Sequence, residues 1–412
     1  MKLTIASVLS LIGVAAAATN GPFSIGPATS GFEKGVLNTT LSCNVSSTGL
    51  NLKNQQILFG VAAILPNRVN ASQPFNVVAG TRLIVPASIN NLAYGFGART
   101  YAGNATKVIV NAKGATPSFK DAAALGPIPI PSAPVVSGGP TVLEVPGNGG
   151  TITVGTFKGA TSNSNIIFSF GDITATIKTY NSTGGATFLV ANVTCPAQAR
   201  PASLAYVAVG GVGKTTTVTP TGGGAISTIP INTTAGVSSY TYNCSFSNFG
   251  AGPVRISVGG FRTGNQAIPS GSKFAISGGQ GNIYLTKQLT DQITTRFSNA
   301  AKFSLDVTSL TFLATNAQPS TLNGIPAGGI SSPIQALTST AVVTLPNGAP
   351  TTTLPDIAFT ASGASGSTAL LSLGDSTGVV HVYDSSNNEI FNVEFQCPAL
   401  SPATPIFPFD IL

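Results

Sequence analysis

A chain of 412 residues with Gly 47 and Pro 28 is too rich in turn formers for a helical fold, and at 42% hydrophobic residues too apolar for a disordered one. Its formal net charge of +7 arises from 19 Lys and Arg against 12 acids, with only 8% charged residues and no basic cluster, which argues against a nucleic-acid partner. One histidine, four cysteines and no tryptophan leave few routes to metal, thiol or histidine-dependent chemistry.

From the N-terminus, Lys2, the apolar run Leu3 to Val14 and the small residues Ala15 to Ala18 predict a secretory signal peptide over 1–18. A segment 19–36 then leads into a first repeat over 37–198. Its predicted elements are a strand presenting Leu41, Cys43 and Val45 on one face, a short helix Ile89 to Phe96, and a strand Ile166 to Phe170. A Gly171-Asp172 turn, a strand Ile173 to Thr179 and a closing strand with Leu189, Ala191, Val193 and Cys195 on one face follow. The stretch 199–238, rich in Gly, Thr and Pro, reads as a linker, within which Leu204 to Val209 has strand character.

A second repeat over 239–399 runs in the same order. Tyr242, Cys244 and Phe246 share a face, and Leu289, Ile293 and Phe297 predict a helix between Lys287 and Ala301. Ala369 to Leu373, Gly374-Asp375, Val379 to Tyr383, a turn at Asp384 to Asn388 and Ile390 to Phe395 complete it. The remaining 400–412 reads as a proline-rich tail. No stretch is long and apolar enough for a transmembrane segment, and the tail is a poor lipid-anchor signal.

The duplication is carried by the cysteines. Cys43 and Cys195 are 152 residues apart, Cys244 and Cys397 are 153 apart, and Cys195-Pro196-Ala197 recurs as Cys397-Pro398-Ala399. Four cysteines allow three pairings. Strand alternation turns all four to the apolar side and favours Cys43 with Cys195 and Cys244 with Cys397. Zinc is the weaker alternative, because the Cys and His spacing of metal sites is absent. The expected fold is therefore all-β: two tandem β-sandwich-like domains, each with one short helix and one internal disulfide, and each large enough to bury its own core.

The order of a cysteine strand, Val85-Pro86-Ala87 leading into the short helix, a threonine-rich strand region, Gly171-Asp172 and the closing Cys195 resembles a secreted two-cysteine β domain of unknown function, known mainly from actinobacterial surface proteins. The second repeat departs from it with Leu285-Thr286-Lys287 in place of Val-Pro-Ala. The resemblance implies fold and export and brings no catalytic residue. The signal peptide and overall style are equally similar to a fungal secreted protein.

Motifs of sharper chemistry fall away on context. Val209 to Thr216 resembles a phosphate-binding loop, but Ala208 stands where its first glycine belongs and no helix can follow, so no nucleotide is expected. His381, the single histidine, aligns with Lys178 of the first repeat and reads as an exposed strand position. Only Asp172 and Asp375 recur among the acids, each in an expected turn where a local hydrogen bond is the ordinary role.

Eight Asn-x-Ser/Thr sequons are glycosylation candidates: Asn38, Asn44, Asn70, Asn104, Asn181, Asn192, Asn232 and Asn243. None follows Asn243. Charge divides the same way: nine Lys and Arg against three acids over 37–198, six against seven over 239–399. Arg82, Arg99, Lys107 and Lys113 are the candidates for an acidic partner such as wall polysaccharide. The sequence reads as a secreted, extracellular or cell-wall protein without cofactor or catalytic residue. The alternative is a secreted hydrolase acting on polysaccharide through a carboxylate pair that the sequence does not locate.

Overall fold

The structure is a computed structural model that describes residues 32–147, 150–210, 233–263, 267–339, 341–347, 352–401 and 403–412. The expected signal peptide, residues 19–31, most of the expected linker and the body of the loop motif lie outside the described residues.

The element order is stated once and then repeats. It begins β1 Phe32–Ser47, β2 Leu50–Pro66, β3 Arg68–Val69, β4 Pro74–Val85, α1 Ala87–Gly95, β5 Thr100–Lys113, β6 Ala115–Thr116, β7 Phe119–Asp121 and β8 Ile128–Pro134. Then come β9 Thr141–Val145, β10 Ile152–Gly159, β11 Ser164–Tyr180, β12 Ala186–Cys195 and β13 Ala205–Val209. The second series is β14 Thr233–Phe246, β15 Gly250–Thr263, β16 Ala267–Ile268, β17 Lys273–Tyr284, α2 Lys287–Arg296, β18 Lys302–Thr315, β19 Ala317–Gln318 and β20 Thr321–Asn323. It ends β21 Ile330–Ser331, β22 Gln335–Ala336, β23 Val342–Leu345, β24 Ile357–Ala361, β25 Thr368–Tyr383, β26 Glu389–Cys397 and β27 Pro405–Ile411.

Pairing repeats with the order. β4 lies between β2 and the β9 and β10 strands, and β17 lies between β15 and the β23 and β24 strands. β11 takes β5 on one edge and both β12 and β13 on the other, as β25 takes β18, β26 and β27. Even the short parallel pairs recur, β13 on β3 and β27 on β16. The protein is thus an all-β fold in two copies.

In the first copy β1 joins the two layers, running antiparallel to β2 along its length and to β12 at Asn44 to Ser46. Alternating apolar residues make each layer one-sided, and the buried sides meet: Phe59 of β2 lies edge-on to Phe170 of β11 at 5.9 Å, and Phe157 of β10 to Phe168 at 5.3 Å. Each such buried ring contributes about 2–3 kcal/mol relative to exposure. The second copy packs Phe274 of β17 on Phe409 of β27 at 4.8 Å.

The disulfides are Cys43 to Cys195 and Cys244 to Cys397. Each joins neighbouring antiparallel strands, with Cα atoms 4.1 Å apart, and all four cysteines are fully buried. A loop of that length is worth about 5 kcal/mol of unfolded-state entropy in the chain-entropy picture.

Four sequence expectations are corrected. Gly171-Asp172 and Gly374-Asp375 are not turns. They are bulges inside the continuous strands β11 and β25, where the register against β5 slips between Phe170 and Ile173 and against β18 near Leu373 and Ser376. The strand character expected of Leu204 to Val209 is realised as β13, buried at every position because it completes the β11 layer, so this part of the expected linker belongs to the fold. The expected tail is β27, which does the same for β25. The second helix stops at Arg296, five residues before Ala301, and Phe297 leaves it to stack on Phe391 at 3.8 Å.

The first helix starts just after Pro86 and is held by a buried polar network with no unmet member. Asn90 donates to Gly139 O at 2.7 Å and Thr141 Oγ1 at 3.0 Å and accepts from Tyr101 Oη at 3.0 Å, tying α1 to β5 and β9. Burial pushes the Tyr101 phenol up to about 12, so it remains a donor.

The two copies also meet. Glu33 to Val36 of β1 pair antiparallel with Ala235 to Ser238 of β14, and Asn67 Nδ2 donates to Ser239 O at 2.6 Å. Arg68 reaches Thr404 Oγ1 and Gly210 O, and Ser203 N donates to Asp410 Oδ2 at 2.6 Å.

Candidate functional site

The residues proposed for an acidic partner do not assemble into a patch. Arg82 is 2% exposed, held in β4 against Gly60, where a Cβ would come within 2.7 Å of its Nε. It serves the interior, which corrects its reading as a surface cation. Arg99 is half-buried, donates to Tyr94 O and Ala98 O, and lies 3.7 Å over the Tyr94 ring. Lys107 is paired with Asp172 at 2.9 Å. Lys113 alone of the four stands exposed at the end of β5 without a described side-chain contact.

Among the sequons, Asn38 is fully buried, which corrects its candidacy, since a glycan there has no room in the fold. Asn232 lies outside the described residues. Asn44, Asn70, Asn104, Asn181, Asn192 and Asn243 are exposed. Three of these share the outer face of one layer: the register runs Asn104 to Thr176 and Thr176 to Asn192, while Asn44 sits on β1 opposite Thr194.

The acids divide by role. Asp172 accepts from Lys107 Nζ and, at 3.0 Å, from Ala197 N. The Lys107 side-chain hydrogen bond and then the Ala197 N–H hold its carboxyl below the usual range. Asp375, its counterpart in the second bulge, faces no lysine, because Ser309 stands where Lys107 does. Asp121 accepts from Val108 N and Ala123 N, both at 2.9 Å, and Asn323 accepts the equivalent pair from Leu310 N and Ile325 N at 3.0 Å. Asp384 caps its turn through Ser386 N and Asn388 N as Asn181 does through Thr183 N and Gly185 N.

One constellation was invisible to the linear sequence. His381, with its side chain 20% exposed, is not the open strand residue expected of it. Its Nδ1 lies 3.0 Å from Glu389 Oε1 and its Nε2 lies 3.2 Å from Asp306 Oδ2. Strand register brings them together, since Asp306 is on β18 and Glu389 on β26, flanking β25. Neither ring nitrogen is left to take a proton from a nucleophile, and the carboxylates approach opposite sides of the ring, so they cannot share one metal ion with it. Among the described residues no group of three His, Cys, Asp or Glu could hold a metal. The first repeat has Asn104, Lys178 and Ala186 at the corresponding places.

Away from these faces, each copy has a space between its layers, of about 100 Å³ in the first and about 30 Å³ in the second. No ionisable side chain lines either.

Residues 40–205 match a family of unknown function (DUF6801). The matched stretch begins in β1 and ends at the first residue of β13, covering the first copy of the element order and none of the second. It agrees with the expected resemblance to an uncharacterised domain and assigns no catalytic role. No curated protein matches the chain. A solved structure named pT26-6p aligns at 9% identity over 91% of this chain and 66% of that one, with a TM-score of 0.14.

Two disulfides and no free cysteine fit an oxidising, extracellular setting. Among the described residues no helix is long and apolar enough to cross a membrane.

Proposed function

We propose that the protein is a secreted, non-catalytic component of a cell wall or extracellular matrix, whose paired β repeats act as a structural or polysaccharide-binding scaffold. The observation that carries this reading is the exchange of acid for amide between the copies. Asp121 and Asn323 accept the same backbone bonds, as do Asp384 and Asn181, so the carboxylate is used there as a structural acceptor. A catalytic acid needs a tuned pKa and a cleft that presents it to substrate. The two cavities offer no such group.

The exposed sequons support a glycan-bearing outer face on the first repeat. At the positions of Asn104 and Asn192 the second repeat carries Asp306 and Glu394, so sugar on one copy would correspond to a carboxylate on the other. The hydrolase alternative would rest on Asp306 and Glu389 around His381.

Purified protein incubated with isolated wall polysaccharides is expected to co-sediment with them and release no soluble sugar. Release that is lost in Asp306→Asn and Glu389→Gln would replace this reading with the hydrolase.

A further inference from the structure

The spaces between the layers lie at the same place in both copies. Strand register aligns Val61 with Val258, Val77 with Ile276, Ala122 with Gly324 and Phe168 with Leu371, and each member of these pairs lines its own cavity. A gap kept at one location by two copies whose core residues have diverged follows from the fold, and is not a local lapse of packing.

The copies differ in what fills it. Val110 of β5 stands where β18 has Phe312. The Phe312 ring lies so close over Gly324 that a Cβ there would be 2.5 Å from its Cε2, and Ala122 has taken that glycine's place in the first copy. Across the strands Val110 faces Phe170 where Phe312 faces Leu373, so the ring moves from one strand to its neighbour, and the space that remains is about 100 Å³ in the first copy against about 30 Å³ in the second. Apart from Thr81, whose hydroxyl donates to Gly60 O at 3.0 Å, every side chain lining the larger cavity is apolar. A charged or strongly polar guest would lose its hydration there and gain nothing in return, whereas an apolar cavity of this kind stays dry and accepts small apolar molecules.

We infer that the first repeat binds a small, uncharged, apolar molecule of about one aromatic ring between its layers, in the space lined by Val61, Val77 and Val110.

Benzene is the probe, applied to the full chain with its disulfides intact. The melting temperature of the wild-type protein should climb with benzene concentration, and methyl resonances of Val61, Val77 and Val110 should shift. Val110→Phe should lose both responses. Phe312→Val should open the second cavity and add benzene-dependent shifts at Val258 and Ile276. Should Val110→Phe fail to fold, Val110→Leu should weaken the response in its place. A wild-type protein whose melting temperature and methyl spectrum ignore benzene up to its solubility would overturn the inference. So would shifts confined to residues outside the cavity, or a Val110→Phe protein that responds as wild type does.

Discussion

Asn181 and Asp384 hold the same turn in the two repeats. Each side-chain Oδ1 accepts two backbone N–H groups, at 3.0 and 2.9 Å from Thr183 and Gly185 and at 2.8 and 2.9 Å from Ser386 and Asn388. An amide and a carboxylate fill the same place because what the two backbone N–H groups require is an acceptor oxygen. Asp384→Asn should therefore leave the denaturant midpoint close to that of wild type, while Asp384→Ala, which removes the acceptor, should lower it. Denaturant melts of the two variants decide between acceptor and charge.

Asp410 and Asp172 should respond to pH in opposite senses. Burial between the copies raises the Asp410 carboxyl, against hydrogen bonds from Ser203 and Thr368 that lower it. The unfolded chain then ionises before the folded one, so stability falls as pH rises from the ordinary carboxylate value to the raised one. Asp410→Asn keeps an acceptor for Ser203 N and removes the buried charge. Its melting temperature should exceed that of wild type at neutral pH, and the difference should vanish in acid.

For Asp172 the folded carboxyl lies below its unfolded value, so its contribution is present above the unfolded value and lost as pH falls through the folded one. Lys107→Met should bring the Asp172 titration, followed by NMR, back up toward the usual range. An unchanged titration would mean that the 2.9 Å pair seen here does not govern it.

Each disulfide should stabilise its own copy. Cys43→Ala with Cys195→Ala should lower the unfolding free energy by up to about 5 kcal/mol and melt the first copy ahead of the second, which keeps Cys244 bonded to Cys397. Non-reducing peptide mapping of the wild type should yield these two cross-linked pairs, and a Cys195 to Cys244 peptide would contradict the strand pairing.

Protein secreted from a glycosylating host should carry sugar at Asn104 and Asn192 and none at Asn38. The first two project from the outer face of β5 and β12, whereas the Asn38 side chain is inside. Glycopeptide mass spectrometry reads the occupancy site by site, and a glycan on Asn38 would show that this part of β1 is not folded as described.

Cysteine spacing showed the duplication and, with strand alternation, favoured the two disulfides that form, Cys43 to Cys195 and Cys244 to Cys397. Alternation has a period of two, so Leu41-x-Cys43-x-Val45 and Tyr242-x-Cys244-x-Phe246 leave each sulfur one face to occupy, and that face is the interior. The helices were legible for a similar reason, an apolar period that strands do not share.

What remained hidden depends on which strand lies opposite. Gly-Asp is written identically in a hairpin and in a bulge, and only the pairing of Phe170 with Val110 and Ile173 with Val108 distinguishes them. Gly378 sits within β25, where a Cβ would approach Asp306 O to 2.1 Å and the Phe395 ring to 2.6 Å. The first copy has Ala175 beside Val193 in that place. His381 gained its carboxylates, Arg82 its burial and the first repeat its cavity in the same way. Each depends on side-chain volumes and charges brought together by register between strands, a quantity that no local pattern encodes.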